Sequence, residues 1–181
     1  MSPPQDTVLK SLAWAQVTSI GIYQALENGA FLSAKGVMGW DAKTQAKAWL
    51  WGSRAWMVYV GLELGRLGYQ WREQLEKEKR AKEMEELAGQ IESSGVIVPE
   101  GGLRGELEKR EERGESELRE EKAERERWWA KWGRDVGVNM GYAPMTVHYS
   151  MEGGPLGEGA LGVLGVVVAW FKMGEAWRRT A

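Results

Sequence analysis

The chain has 181 residues, with 24 Lys and Arg against 26 Asp and Glu, so its formal net charge is −2. This balance argues against a nucleic-acid-binding protein, and the absence of cysteine excludes disulfides, thiolate metal sites and a thiol nucleophile. The 11 Trp and 24 Gly are typical of membrane-associated helices, because Trp prefers the membrane–water interface and Gly is enriched in membrane helices.

Residues 1–6 form a polar lead that lacks the basic and then apolar pattern of a secretory signal peptide. Residues 7–34 predict the first helix, because apolar side chains recur at a spacing near 3.6 between Val8 and Phe31. A break is expected at residues 36–39, and Asp41 after it is a suitable N-cap for a second helix.

Residues 42–87 predict a long second helix, so that residues 7–87 hold two long amphipathic or apolar helices. Glu63 and Arg66 lie away from its apolar face, and residues 55–62 are apolar nearly all round, which indicates deeper burial. The pattern allows this helix to cross a membrane or to lie on it. Its apolar stripe consists of Trp49, Trp56, Val60, Leu64, Leu67 and Trp71.

Residues 88–127 are expected to form a charged cytosolic linker. Ser, Gly and Pro between residues 92 and 105 predict a loop or hinge. Residues 106–127 are almost all charged, with both signs mixed. They predict either a flexible segment or a solvated helix supported by ion pairs four residues apart.

Residues 128–181 predict a Trp-rich interfacial segment followed by a C-terminal membrane helix. Three Trp beside basic residues at 128–132 are typical of an interfacial anchor. Residues 133–155 are punctuated by Gly and Pro, and residues 159–171 then carry no charge, which favours a spanning or deeply inserted helix. Gly162, Gly165 and Ala169 would let helices approach closely in lipid and so predict a self-association face. The residues predicted to contact lipid or a second copy are Gly162, Gly165, Ala169, Trp170, Trp177, Trp49, Trp56 and Trp71.

No catalytic constellation is recognisable, so the chain is expected not to be an enzyme and to have no catalytic, cofactor or metal site. His148 is the single histidine, and Ser150 follows it without an evident acid to orient the pair. The sequence has no Gly-x-Ser-x-Gly elbow, no phosphate-binding Gly-Lys-Ser/Thr loop and no dinucleotide-binding glycine pattern after a strand.

Two motifs in the apolar ends resemble the peroxisomal biogenesis factor 11 family of membrane-elongation proteins. The first is residues 21–32, an apolar helix that ends in an acidic residue, Asn and an aromatic-Leu pair. The second is residues 144–150, a Pro followed by His-aromatic-Ser ahead of a Gly-rich helix. The resemblance covers residues 8–72 and 135–178. The positions that carry the two motifs are Leu26, Glu27, Asn28, Phe31 and Leu32 in the first, and Pro144, His148, Tyr149 and Ser150 in the second.

The resemblance implies a peroxisomal membrane protein that promotes membrane elongation, peroxisome proliferation and fission. It also implies self-association, cytosolic termini and the peroxisomal fission machinery as a partner. In that setting Glu27 and Asn28 would fix a contact between helices, and His148 would form a hydrogen bond at the start of the last helix. The family's N-terminal amphipathic region has little counterpart ahead of Leu26, so helix 7–34 substitutes in part, or the chain is a short or divergent member or a truncated gene model.

The predicted fold is therefore all-α: a membrane-associated helical hairpin or bundle with a C-terminal Gly-rich membrane helix. The expected partners are the lipid bilayer and a second copy of the chain, and no nucleic acid or cofactor is expected. The alternative is a soluble helical scaffold or adaptor in which the apolar helix packs against large partners such as Trp56 and Leu64. A small pore is a third possibility that no pattern of charge within the apolar segments supports.

Overall fold

The computed structural model describes residues 6–94 and 115–180, and within these ranges it contains four α-helices and no strand. The helices are α1 (Thr7–Ala34), α2 (Ala42–Ser94), α3 (Glu115–Tyr149) and α4 (Glu158–Thr180). The predicted all-α fold is confirmed.

The first two helices begin at acidic caps. The Asp6 carboxylate accepts hydrogen bonds from the backbone N–H groups of Val8 at 2.7 Å and Leu9 at 3.3 Å. Asp41 accepts one from the N–H of Thr44 at 2.8 Å, and the hydrogen bonds from Thr44 hold the pKa of Asp41 below its usual value. These contacts satisfy backbone donors that have no partner within the helix, which is why each helix begins where it does.

The second helix is longer than the sequence predicted. It extends to Ser94 instead of ending at residue 87, and the described parts of the predicted linker, 88–94 and 115–127, are helical. Mixed charges allow this, because exposed ion pairs along α2 such as Arg72–Glu76 follow the four-residue helical spacing. The predicted loop lies mostly in residues 95–114, outside the described ranges.

Residues 133–155, which Gly and Pro punctuate in the sequence, are helical up to Tyr149. Helix α3 passes without interruption through the Trp-rich segment, three glycines and Pro144. The turn that follows contains Gly153 at φ 74°, a left-handed conformation that favours glycine. Helical glycines at 137 and 141 lie where α4 approaches most closely, so tertiary packing offsets their low helix propensity.

The chain divides into two compact units. Unit 1 comprises Met1–Gly68 and Gly133–Ala181, and unit 2 comprises Tyr69–Trp132. In unit 1 the neighbouring helices run antiparallel in chain order, α1 against α2, α2 against α3 and α3 against α4. Pairs that define this order include Tyr23 stacked on Trp56 at 6.0 Å, and Trp56 edge-on to Tyr142 at 5.4 Å.

Unit 2 is a charged helical pair with an aromatic cluster. The rings of Trp128, Trp129 and Trp132 are in mutual contact, with centroids 4.9 to 6.4 Å apart. The indole N–H of Trp129 donates a 2.7 Å hydrogen bond to the Glu78 carboxylate, which joins the α3 part of this unit to the α2 part. The predicted interfacial Trp segment is therefore half-buried between two helices of unit 2.

Small residues set the distance between α3 and α4. A Cβ atom added at Gly137 would lie 2.6 to 2.9 Å from the Phe171 ring, and one at Gly141 would lie 2.5 Å from a Val168 methyl group. Both distances are shorter than real Cβ contacts, so a side chain at either position would force the Phe171 ring or the Val168 side chain to shift.

We therefore expect Gly137→Ala to lower the free energy of unfolding by about 1–3 kcal/mol, because the Phe171 ring must move. Gly133→Ala on the same helix is the control. A Cβ there meets nothing within 4 Å, so the gain in helix propensity should stabilise the chain by about 0.5–1 kcal/mol. Thermal unfolding in micelles, followed by circular dichroism, measures both, and equal effects would contradict the close approach.

Candidate membrane-facing surface

The interior of unit 1 is built largely from small and polar side chains. Its buried apolar residues are few, and beside them lie buried Ser, Thr, Asn and Gly. The buried apolar set is Ala30, Ala48, Val60, Leu67 and Val168, and the buried polar set is Ser19, Ser33, Asn139, Thr146 and Ser150. Such an interior contributes less hydrophobic stabilisation in water than one filled with large apolar side chains.

Most of the buried polar side chains have partners that a helical bundle supplies. The Ser19 hydroxyl donates to the Ala55 carbonyl at 2.6 Å and so joins α1 to α2. Asn139, Thr146 and Ser150 donate to carbonyls three or four residues earlier in α3, at 2.6 to 2.8 Å. These hydrogen bonds satisfy polar groups without water, as helices in an apolar medium require.

The outer surface of unit 1 carries the large apolar side chains. Helix α4 has a stripe at alternating spacings of three and four residues whose side chains are 64 to 78 % exposed. The stripe is Val163, Val166, Trp170, Met173 and Trp177. Among the described residues, every exposed large apolar side chain except Trp71, Leu75 and Leu87 belongs to unit 1. Contiguous exposed apolar surface of this kind marks a contact with another protein or with a membrane.

One end of unit 1 holds a partly buried charged cluster. Arg66 forms a two-point ion pair with Glu63, with Nε 2.9 Å from one carboxylate oxygen, and the Gln16 amide donates to Glu63 at 2.5 Å. Burial alone would raise the pKa of Glu63, but the hydrogen bond and the charge of Arg66 outweigh it and lower the pKa. The Glu63 hydrogen bond raises the pKa of Arg66, and the negative charge of Asp135 in α3 raises that pKa further. The cluster therefore links three helices electrostatically.

The opposite end is closed by His148 and Arg54. The His148 Nδ1 atom accepts a 3.1 Å hydrogen bond from the backbone N–H of Leu156, two residues before α4 begins. Gly154 lies against the imidazole so closely that a Cβ there would be 2.2 Å from Nδ1. Arg54 Nε donates to the Ser150 carbonyl at 3.3 Å, and its guanidinium lies 4.8 Å from the Trp51 ring centroid.

The predicted self-association residues are not packed within the chain. A Cβ at Gly162 or Gly165 would meet nothing within 4 Å, and Ala169 is exposed. Trp170 and Trp177 are the most exposed indoles of α4. In α2, Trp56 is half-buried between two tyrosines, whereas Trp49 of unit 1 and Trp71 of unit 2 are exposed.

In the first motif, Leu26 packs against α2, whereas three of the other four residues are exposed. Leu26 lies against Gly52 of α2, and Glu27 is hydrogen-bonded to Tyr23 of its own helix. Asn28, Phe31 and Leu32 are exposed, and Lys35 lies over the Phe31 ring.

The second motif lies at the end of α3. Pro144 is within the helix and half-buried, and Tyr149 is exposed, with its ring edge-on to His148 at 5.0 Å. Ser150 is buried beside Thr146. Two residues of this motif make hydrogen bonds beyond α3: His148 to the turn before α4, and Ser150 to Arg54.

Sequence reasoning missed the glycines that position α4. It assigned close helix approach to Gly162 and Gly165, whereas Gly137 and Gly141 of α3 have α4 side chains against them. The four-residue spacing of these two glycines was readable in the sequence, but residues 133–155 were interpreted only as a stretch punctuated by Gly and Pro.

No helix within the described residues is long and apolar enough to cross a membrane. The predicted C-terminal helix is present as Glu158–Thr180, while its spanning character is not confirmed. The same described residues contain no group of three or more potential metal ligands.

Arg66→Gln should lower the free energy of unfolding by about 1–3 kcal/mol, because it leaves the half-buried Glu63 carboxylate without its charged donor. Arg72→Gln is the matched control, since the Arg72–Glu76 pair is largely exposed and should contribute less than about 1 kcal/mol. Chemical denaturation in micelles compares the two variants, and similar losses would show that the Glu63 cluster is not structural.

The same cluster predicts acid sensitivity. The folded pKa of Glu63 lies below its unfolded value, so its stabilising contribution is present above the unfolded pKa and is lost as the pH falls through the folded pKa. Melting temperature should therefore fall toward acid more steeply in the parent chain than in Glu63→Gln. If the melting temperatures of the two proteins fell equally with pH, Glu63 would not be the cause of the acid sensitivity.

No protein-family model matches this chain, and no curated protein or solved structure matches it either.

Proposed function

We propose that this protein embeds in the peroxisomal membrane and promotes membrane elongation and fission by helix insertion and self-association. The single observation that carries the membrane part is the composition of unit 1, in which most buried side chains are small or polar while many large apolar side chains are exposed. In water this arrangement exposes apolar surface at a high cost in free energy, whereas in a bilayer the same side chains face acyl chains.

The packing of α4 separates this proposal from a soluble scaffold. A soluble bundle would cover the apolar helix with large partners, but α4 packs through Val168 and Phe171 against glycines of α3. Its remaining faces carry exposed Val, Met and Trp side chains. Helix–helix contact through small residues is the mode that lipid favours, because apolar burial gives helices no advantage over contact with lipid.

The peroxisomal compartment and the elongation role are inferred from the resemblance of residues 21–32 and 144–150 to the peroxisomal biogenesis factor 11 family. Elongation has a physical basis in this chain. Apolar helices inserted into a bilayer displace lipid, and self-association through the open face of Gly162, Gly165 and Ala169 would concentrate that displacement. The fission machinery is the expected partner on the cytosolic side.

Cells that express the chain with a fluorescent tag at Met1 test the proposal by alkaline carbonate extraction and by imaging against a peroxisomal marker. Retention in the pellet together with elongated peroxisomes is the expected result. Retention in a different membrane would overturn the peroxisomal assignment and leave the proposed membrane embedding in place. A freely soluble, diffuse protein would overturn both and favour the soluble scaffold.

A point variant tests the outer face of α4 directly. Val166→Lys places a charge at the centre of an exposed apolar stripe and should reduce the carbonate-resistant fraction by about tenfold or more, because a lysine in hydrocarbon costs about 2.5–3.5 kcal/mol. Ala81→Lys adds the same charge to the exposed charged part of α2 and should change nothing. Equal extraction of both variants would exclude α4 from the membrane contact.

A further inference from the structure

We propose that unit 1 fits a hydrocarbon layer of about 20–24 Å, so that the protein prefers bilayers thinner than the ordinary core of about 30 Å. The inference rests on the proposed membrane embedding and adds to it the class of bilayer that the protein selects. It follows from where charged side chains stop and start along the helices of unit 1.

Three helices of unit 1 have charge-free stretches of similar length. Residues 11–26 of α1, 136–149 of α3 and 159–171 of α4 contain no Asp, Glu, Lys or Arg. At 1.5 Å per residue these stretches measure about 24, 21 and 20 Å. We call the zone that they form the apolar belt.

The two ends of the apolar belt are at matching levels on neighbouring helices. At one end, Gln16 of α1 contacts Glu63 of α2, whose partner Arg66 interacts with Asp135 of α3. Phe171, next to Lys172 of α4, lies against Gly137 near the same end. At the opposite end Arg54 contacts Ser150, in the turn that leads to Glu158. Charged residues therefore bound the apolar belt at both ends, and the Lys172 ammonium reaches back into it to donate a 2.7 Å hydrogen bond to the Tyr142 hydroxyl.

Helix α2 contributes little of the belt, since its charge-free residues 55–62 measure only about 12 Å. It packs against two other helices, because Trp56 lies between Tyr23 of α1 and Tyr142 of α3. Its boundary residue Glu63 is turned toward partners, with only 14 % of the side chain exposed. Helices α1, α3 and α4 therefore set the length of apolar surface that lipid meets.

Exposed aromatic residues lie at both edges of the apolar belt. Trp14 and Trp170 lie near the end marked by Gln16 and Lys172, and Trp51 lies beside Arg54 at the opposite end. Trp at two levels, with charges just beyond, matches a layer that is apolar in the middle and polar at both faces. This distribution complements a bilayer, whereas a protein partner would require no such symmetry between the two edges.

A belt of this length is about 6–10 Å shorter than an ordinary hydrocarbon core. A short apolar segment makes the surrounding bilayer thin locally, and the accumulated cost sorts proteins toward thinner membranes. The protein would therefore collect in thin bilayers and would thin the lipid around it where the bilayer is thicker.

Flotation measures this preference. The full chain is synthesised cell-free with phosphatidylcholine vesicles whose monounsaturated chains have about 14, 18 or 22 carbons, and the floated fraction is quantified. We expect about tenfold more protein on the 14-carbon than on the 22-carbon vesicles. Equal flotation on all three, or more on the thickest, would overturn the thickness preference alone. Flotation on none would overturn the membrane proposal itself, so the two failures are distinguishable.

A variant that lengthens the belt gives an independent test. Lys172→Leu extends the charge-free stretch of α4 to residue 174, about 24 Å, and should raise the ratio of 18-carbon to 14-carbon flotation about threefold. Lys122→Leu removes the same charge from an exposed position of unit 2 and should leave the ratio unchanged. A Lys172→Leu profile that coincides with the Lys122→Leu profile would overturn the belt as the cause of the preference.

Discussion

The structure of unit 1 depends on the close approach of helix backbones at small residues. Gly137 and Gly141 bring α4 against α3, and Gly52 accepts Leu26 between α1 and α2. Because these contacts use little side-chain volume, few large apolar residues are fully buried between the helices. Many others lie on the outside, as in the exposed stripe of α4.

Polar contacts fix the register that the small residues leave open. Glycine contacts are weakly directional, so helices that meet through them can slide along one another. The ion pair of Glu63 with Arg66, the Gln16 amide and the Ser19 hydroxyl bond have defined donors and acceptors. His148 adds a hydrogen bond to the turn before α4. Such bonds require a defined distance and angle between donor and acceptor, which makes them effective determinants of register.

Unit 2 follows a different principle. Its helices carry mixed charges that pair along the helix surface, and its aromatic contacts are local to Trp128, Trp129 and Trp132. The bond from Trp129 to Glu78 joins two segments that are distant in sequence. Exposed ion pairs contribute little stability each, so the aromatic cluster and this bond are the specific contacts of the unit.

The sequence by itself determined the helical fold, both bounds of α1, and the position of the charge-free stretches, because periodicity, capping by Asp6 and Asp41, and charge placement are local properties. It placed the end of α2 too early and did not predict that α3 continues through its glycines and Pro144. Only tertiary packing decided the continuity of α3, since Gly137 and Gly141 are stable in a helix where α4 covers them. The partner of Glu63 was three residues away and readable, whereas Gln16 and the composition of the interior required the helices to be assembled, because burial is a property of neighbours that local sequence does not specify.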